Sequence, residues 1–583
     1  MKGETTRRQV ATYLSLGAII LLAQILICFQ GLGDQWTRGH NGFNGAAYHL
    51  AARNTLRWGD LFPVQYYTGR TPPGPEDYYT HHPLAMHLHN VVSLAIFGDS
   101  EAALRLVPAV HGVLAVLVLM LFVRRFYGPV VALLASAIYV ALPTNTIYAN
   151  MANHTSGCIL WSLLAFWSYF SLREARAAKG HWRAHFFGLL GATLMATAWE
   201  WPAYYAAAFI CLHWFFLAMR SRGQERWREL VLLGIYGLWV LCQFLGHFLL
   251  VRLVVGDLKE LTGIIHTRLD VSWDRFAYTL RVVPPLMNTW PVLVLCGLWL
   301  VRTCVVRSRF ELRDLAPLAF GVGGWIHFFV FRWSAIVHEY WLWTTLPFVA
   351  IACATLLLDA RRWVEDRIGA LVRMELWRGR VATGSSLAVF LALVPLLVRT
   401  VDLTPRGRAV GGSLWFTEPT RPGGIPTYDS GRRELRFADQ VRRWTDRSTG
   451  VLLHEDIFRT VPESRFDTTL DREMLTVQMV EPAMVGPRLP GVTGWVLVAP
   501  LKSLSEKVKL ELARRHPFRV FGDYVMVDLR SDTPGVEVWK LEEEPFNLSW
   551  WFFKSAFEPP ATPVRDTFAE EALRRATRDV RDP

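Results

Sequence analysis

This chain is short of charge. Of its 583 residues only 19% are Asp, Glu, Lys or Arg, while 52% are hydrophobic and the mean hydropathy is positive. A soluble protein of this length usually carries more charge, so an ordinary soluble globular protein is excluded first. Cysteine is also scarce. The seven cysteines (28, 158, 211, 242, 296, 304 and 353) lie in or near apolar stretches, none lies in the polar C-terminal region, and no C-x-x-C spacing occurs. That argues against a disulfide framework or a thiolate zinc site and leaves them as small buried hydrophobes. No H-E-x-x-H zinc helix occurs, and no internal repeat is visible. The net charge of +12 is split into short basic clusters between apolar runs, which argues for membrane topology rather than nucleic acid.

Long apolar runs are what the chain does have. Stretches able to cross ~30 Å of hydrocarbon recur over the first 400 residues. They cover 11–31, 101–123, 128–147, 156–172, 184–200, 202–219, 229–254, 286–305, 314–331, 340–358 and 384–401. The pattern predicts a polytopic α-helical membrane protein with about eleven transmembrane helices. Lys2, Arg7 and Arg8 precede the first run, and Ile27-Cys28-Phe29-Gln30 offers no small-residue cleavage site, so the first helix reads as a retained signal anchor. With the N-terminus inside, the inner loops hold the basic groups Arg124-Arg125, Arg173 to Arg183, Arg220 to Arg228, Arg302 to Arg313 and Arg361 to Arg380. The turns at 148–155 and 200–202 hold no Arg or Lys, as the positive-inside rule requires of outer turns. The six-arginine loop at 361–380 also suits anionic headgroups.

An odd number of spans leaves residues 403–583 on the outer side. Val451 to His454, Trp495 to Val498 and Phe518 to Leu529 read as short strands, and Leu501 to His516 as a helix. A small α/β extracytoplasmic domain is predicted, joined by a Pro/Gly-rich linker at 403–431. Trp550 to Phe553 reads equally as core or as a headgroup-level aromatic belt. The expected domains are therefore 1–402, with a large first outer loop at 32–100, and 403–583.

This topology brings the unusual polar residues to one surface. The first outer loop carries Asp34, Arg38, His40, Asn41, Asn44, Tyr48, Glu76, Asp77, His81 and His82. Asn153 and His154 stand in the second turn, Glu200 in the third, Lys259 in the fourth, and Arg332, His338, Glu339 and Tyr340 in the fifth. Ionisable groups at membrane depth cost ~2.5–3.5 kcal/mol each, so they tend to line an aqueous or catalytic cavity. Each residue has a plainer reading too. His81-His82-Pro83 suits the start of an interfacial helix, Asn153-His154 a helix cap, and Glu200 a local acceptor of backbone amides. The histidines with nearby acids leave a divalent metal open as an alternative, with ligands drawn from separate loops. No metal ligand is assigned.

Four stretches resemble a known family. Asn44 to Tyr48 to Ala52 follows an Asn/Asp-x-x-x-Tyr-x-x-x-Ala pattern. Tyr78-Tyr79-Thr80-His81-His82-Pro83-Leu84 is similar to a YY-x-H-P-P-L element. Phe97 to Pro108 is similar to an FG-x-S-x-x-A-x-R-L-P element, and Tyr148 to His154 occupies a second-motif position. Together these resemble the GT-C superfamily of polytopic membrane glycosyltransferases, in particular the bacterial relatives of protein O-mannosyltransferases and lipid A aminoarabinose transferases. The resemblance covers about the first 400 residues.

It implies transfer of a sugar from a polyprenyl-phosphate donor to an envelope glycan, lipid or protein on the outer face of a bacterial inner membrane. No cofactor is assigned, with a divalent metal left open, and no nucleic-acid partner is expected. A base takes the acceptor proton, and cations or amides hold the departing lipid phosphate. Two positions depart from the pattern, since Asn44 stands where an Asp is found in relatives and Thr155 where an acid is common. The base is therefore expected elsewhere, with Glu76 or Asp77 beside His81 and His82 favoured and Asp34 and Glu339 as alternatives. Lys259 and Arg332 are expected at the phosphate. His40, Asn41, Tyr48, Asn153, His154, His338, Glu339 and Tyr340 are expected around the substrates. A transporter or flippase, or a non-catalytic envelope-binding membrane protein, are the competing readings.

Overall fold

The computed structural model describes residues 2–33, 36, 40–65, 72–269, 273–306, 311–371, 432–459, 470, 472, 474–481, 492–540 and 564–565. The expected span at 384–401, the linker at 403–431 and Trp550 to Phe553 lie outside these residues. Proline and glycine decide where the apolar runs become separate helices. Residues 128–147, expected as one span, break at Leu142, which is extended (φ −64°, ψ 132°) ahead of Pro143. The proline ring disfavours helical dihedrals in the residue before it.

In chain order the helices begin with α1 (Lys2–Phe29), α2 (His40–Trp58), α3 (Ala85–Phe97), α4 (Glu101–Tyr127), α5 (Pro129–Ala141) and α6 (Pro143–Tyr148). There follow α7 (Thr155–Ala177), α8 (Arg183–Trp199), α9 (Pro202–Arg220), α10 (Gly223–Val255), α11 (Lys259–Leu269) and α12 (Trp273–Asn288). The remainder are α13 (Trp290–Val301), α14 (Leu315–Val330), α15 (Arg332–Val337), α16 (Leu346–Leu371), α17 (Arg432–Trp444) and α18 (Glu506–Arg515). Among the described residues six helical stretches are long and apolar enough to cross a membrane: α1, α4, α7, α9, α10 and Tyr340–Arg367. Others of the expected spans form shorter helices, α5, α8 and α14 among them, with 13, 17 and 16 residues.

Contacts divide the chain into two compact units. The first comprises Met1–Gln30, Thr80–His89 and Arg105–Arg408; the second comprises Gly31–Tyr79, Asn90–Leu104 and Ala409–Pro583. In the first unit α7 and α8 pack together, α5 contacts both α1 and α16, and α14 contacts both α9 and α16. One end of this bundle is basic. There Glu229, 2% exposed near the start of α10, accepts from Arg173 (2.7 Å) and Arg176 (3.0 Å) of α7 and from the Trp214 indole (2.5 Å). These arginines, read from sequence as topology signals, thus also balance a buried carboxylate.

The second unit carries a seven-stranded sheet of β1 (Thr449–His454), β2 (Met474–Val477), β3 (Gly494–Pro500), β4 (Pro517–Phe521), β5 (Tyr524–Asp528), β6 (Gly535–Lys540) and β7 (Val564–Arg565). Its order is β2-β1-β3-β5-β4-β6-β7. Strand β1 runs parallel to both β2 and β3, while β3–β5 and β4–β5 are antiparallel. Side chains alternate between faces along a strand. Val451, Leu453, Val496 and Val498 accordingly pack with Phe437 and Val441 of α17, and Leu452, Leu497 and Ala499 with Leu512 of α18. The β4–β5 turn has Gly522 at φ +59°, the glycine-favouring geometry of a tight hairpin. The α/β domain expected from the strand and helix patterns is present.

The first loop contributes α2 to this second unit, with Ala46, Ala47, Tyr48, Leu50, Ala51 and Ala52 buried. Trp36 Nε1 donates to His49 Nδ1 at 3.1 Å. An indole N–H only donates, so the His49 proton sits on Nε2 and is donated to Asp99 at 2.6 Å. Arg53 adds bonds to both Asp99 oxygens, and Arg442 of α17 lies 3.8 Å away. Burial pushes the Asp99 carboxyl up, but the hydrogen bond from His49 and the Arg53 charge outweigh it and hold it well below the usual range.

Candidate active site

Three helix ends in the first unit bring together two imidazoles and a carboxylate. Helix α8 stops at Trp199. Glu200 then turns extended (φ −163°, ψ 153°) while its N–H still bonds the Ala196 carbonyl. Pro202 restarts the chain as α9, where a proline in the first turn sacrifices no helical hydrogen bond. This abrupt reversal leaves the Glu200 carboxylate at the end of α8, buried and away from Glu229. His154 occupies the position before α7. His82 lies in the loop before α3, and that loop is pinned twice. The Trp201 indole donates to the His81 carbonyl at 2.7 Å, and His247 of α10 bonds the Thr80 carbonyl at 3.3 Å.

The geometry is close. His82 Nδ1 lies 2.9 and 3.1 Å from the two Glu200 oxygens. His154 Nδ1 lies 3.8 Å from Glu200 Oε2 and donates to the Trp199 carbonyl at 3.0 Å. Because a carbonyl only accepts, His154 carries its proton on Nδ1 and its lone pair on Nε2. The two rings are stacked, with centroids 4.4 Å apart and planes 17° apart. Glu200 Oε1 also accepts the Trp201 N–H at 2.9 Å. Behind the cluster the fully buried Trp199 ring packs against His89 (4.7 Å), His111 (4.3 Å) and Gly157.

Burial sets the protonation. It pushes the His82 imidazole well down, helped by the charge of Arg268 and by His81 and His247. It pushes His154 down to about 3, with His82 adding to the effect and Glu200 opposing it. Both rings are therefore neutral near pH 7. One donor atom from each of His82, His154 and Glu200 lies within 4.8 Å of the others. Such a set suits either of two chemistries, proton transfer at the carboxylate–imidazole pair or retention of a divalent cation.

Of the residues singled out from sequence, the structure brings His82 and His154 together and lines the loop beside them with His81, which is buried. Asn153 Oδ1 accepts from the Thr155 N–H (2.9 Å) and hydroxyl (2.5 Å), an Asx turn just ahead of α7, whose cap position is His154 without a side-chain capping bond. Arg332 lies 4.5 Å over the Trp273 ring and donates to the Leu269 carbonyl at 2.9 Å. Lys259 is exposed, 3.5 Å from Asp257. His338 stacks on Trp341, and Tyr340 packs 5.4 Å from Tyr148. Within the second unit, Asn41, Asn44 and Tyr48 lie on α2, which His40 begins, and Asn44 and Tyr48 are buried. Asp77 Oδ2 accepts the Gly74 N–H at 2.9 Å, closing the short turn Pro75–Asp77 that also contains Glu76. Glu339 opens the turn Glu339–Thr345. Glu200 is what the sequence reading left unjoined. It was visible as a carboxylate between two apolar runs, but nothing local ties it to His82, 118 positions away.

One segment of the chain matches a known family by sequence, and its fold matches solved structures. The sequence model of the dolichyl-phosphate-mannose-protein mannosyltransferase family matches residues 81–249, a segment that contains His82, His154 and Glu200. No curated protein matches the chain by sequence. Solved structures match its fold. ArnT from Cupriavidus metallidurans, bound to undecaprenyl phosphate, aligns over 89% of this chain and 97% of its own, with TM-score 0.53 and 15% identity. The Archaeoglobus fulgidus oligosaccharyltransferase in the apo form aligns over 90% of this chain and 75% of its own, with TM-score 0.50 and 13% identity. The archaeal oligosaccharyltransferase AglB from Archaeoglobus fulgidus, in complex with an inhibitory peptide and a dolichol-phosphate, aligns over 88% and 73%, with TM-score 0.50 and 14% identity. The chain thus shares the fold of these structures over most of its length, matches the mannosyltransferase family model over residues 81–249, and, with six described helices long and apolar enough to cross a membrane, is a multi-pass membrane protein.

Proposed function

We propose that the chain transfers a sugar from a polyprenyl-phosphate donor to an envelope glycan, lipid or protein at the outer face of a bacterial inner membrane, and that Glu200 supplies the carboxylate this reaction needs. The observation that carries the assignment is the buried His82–Glu200–His154 cluster at the bundle end opposite the arginines. That basic end is the cytoplasmic one under the positive-inside rule. The N-termini of α7 and α9 meet at the cluster, and helix N-termini favour an anionic group such as a lipid phosphate. Arg332 remains the proposed side-chain cation for that phosphate. Asn44, an amide, does not accept a proton at neutral pH, whereas a carboxylate held by an imidazole and a backbone N–H is a preorganised acceptor.

The test uses right-side-out membrane vesicles carrying the protein, a panel of radiolabelled polyprenyl-phosphate sugars, and extracted envelope acceptors supplied outside. Wild type should label an acceptor, and Glu200→Gln should lower the rate by about 100-fold or more. No transfer from any donor, or a Glu200→Gln rate equal to that of wild type, overturns the proposal.

A further inference from the structure

We infer that the carboxyl ends of β1 and β3 form a binding site for an uncharged sugar residue. In the sheet, β2 and β3 flank β1, and both run parallel to it. The chain therefore leaves β1 toward one side of the sheet, to β2, and leaves β3 toward the other, through α18 to β4. Connections that part in this way open a crevice outside the carboxyl ends of the two strands, the place where open α/β sheets bind their ligands. Polar residues stand at that point. Val451, Leu452 and Leu453 of β1 and Val496 to Ala499 of β3 are apolar and buried, yet the two exits carry His454, Asp456, Lys502 and Ser503.

His454 is the independent signal. It is 6% exposed and shares the α18 face of the sheet with Leu452, two positions before it on the strand. Its Nδ1 accepts the Asp456 N–H at 3.2 Å, so the imidazole proton sits on Nε2. Among the described residues Nε2 has no hydrogen-bond partner. Buried N–H groups are rarely left so, and an aliphatic side chain would fill this strand end without that cost. Asp456 Oδ2 accepts the Ser503 hydroxyl at 2.6 Å, which ties the exit of β1 to that of β3. The Leu501 N–H, bonded to the Asp523 carbonyl at 2.7 Å, holds the second exit in place. The two exits thus present a fixed N–H donor, a carboxylate, and a hydroxyl that both donates and accepts. Adjacent hydroxyls of a pyranose match this set, because each donates to a carboxylate and accepts from an N–H. Asp456 and the exposed Glu455 repel a phosphate or a uronate, and the exposed Lys502 repels a cationic aminosugar. Neutral sugar residues of an envelope glycan are the class that remains. Only the use of that glycan as transfer acceptor rests on the transfer reading; the site itself rests on the two strand ends.

The experiment uses the full-length protein in lipid nanodiscs and a panel of methyl glycosides of neutral hexoses. Contact is read by saturation-transfer NMR and affinity by titration. At least one hexoside should bind wild type, and a methyl uronate should not displace it. Affinity should fall about 10-fold or more in Asp456→Asn and in His454→Leu, the loss expected for one hydrogen bond to a charged or buried group. It should be unchanged in Glu200→Gln and in Ser448→Ala, which lies at the other end of the sheet against Thr493. In the transfer assay Asp456→Asn should raise KM for a glycan acceptor about 10-fold with kcat unchanged. No saturation transfer from any hexoside, equal affinity in monodisperse, folded Asp456→Asn and His454→Leu, or tighter binding of the uronate overturns the assignment. Affinity lost in Glu200→Gln but kept in Asp456→Asn puts the sugar at the candidate active site and overturns it too, leaving the transfer reading intact. A hexoside bound at Asp456 by a chain that transfers no sugar does the reverse.

Discussion

Gly157 offers the sharpest mechanical test of how the site is held. It lies on the first turn of α7, and an added Cβ would stand 2.0 Å from Cε2 and 2.4 Å from both Cδ2 and Nε1 of Trp199. Carbon–carbon contacts prefer 3.5–4.0 Å, so the indole would have to retreat by roughly 1.5 Å. It has nowhere to go, being fully buried with the His89 and His111 rings 4.7 and 4.3 Å away. Overpacking of this kind costs ~1–3 kcal/mol, against which Gly→Ala in a helix returns at most ~1 kcal/mol. Gly157→Ala should therefore destabilise by about 1–2 kcal/mol. Gly191→Ala is the control, because its Cβ meets nothing within 4 Å on α8 and only the propensity gain remains. The readout is the thermal unfolding midpoint in detergent, which should fall for Gly157→Ala and rise or stay level for Gly191→Ala. The Trp199 carbonyl also holds His154, so transfer by Gly157→Ala should fall even well below its midpoint. A midpoint for Gly157→Ala at or above that of wild type would refute the packing argument.

Two further perturbations probe other parts of the fold. Glu229→Gln leaves Arg173 and Arg176 facing a neutral amide in a nearly dry setting. Breaking such a network costs on the order of 3–5 kcal/mol, so the folded fraction seen by size-exclusion chromatography after mild heating should drop sharply, and an unchanged profile would contradict it. Asp99→Asn removes the charge that Arg53 and His49 share. Asp99 is about a third exposed, so the loss, discounted for solvent screening, should be about 1–2 kcal/mol. The Asp99 carboxyl is held low in the folded state. Its stabilisation is therefore complete above the ordinary carboxylate value near pH 4 and is lost as the pH falls below it. Unfolding midpoints of wild type and Asp99→Asn should differ by a constant amount from pH 5 to 8 and converge below about pH 4; convergence at pH 6–7 would rule this out.

Much of the architecture was legible because it follows from local pattern. Apolar runs and arginine placement mark the bundle, and alternation at Val451 to His454 and Trp495 to Val498 marks β1 and β3. The positions of helix breaks were less legible. The 128–147 run reads as one span by hydropathy, yet Pro143 divides it, and hydropathy does not register a backbone donor that is missing. Helix α2 was hidden for a different reason. Its buried face is built largely from small alanines, and His, Asn and Arg side chains interrupt them along the sequence. Such a segment resembles a polar loop until Trp36 and its neighbours in the second unit cover it.

The candidate site shows where one-dimensional reading stops. Asn44 drew attention because it departs from a pattern, and Asp77 because it is acidic and sits near histidines. In the structure Asp77 closes its own turn, and Asn44 is buried on α2. Histidine pairing in sequence marked His82, and cap position marked His154, but each alone had an ordinary structural use. What sets His82 and His154 apart from these ordinary uses is their meeting with Glu200, 118 positions from His82 in the chain and brought to it by the α8–α9 reversal and by the Trp201 and His247 bonds that pin the His82 loop. A buried carboxylate at a helix reversal needs hydrogen-bond donors for two oxygens, and one backbone N–H from Trp201 satisfies only part of that need. The His82 imidazole supplies more, with the neutral His154 ring stacked beside it. The missing acid at Asn44 and the surplus acid at Glu200 are therefore one problem, and Glu200→Gln decides both.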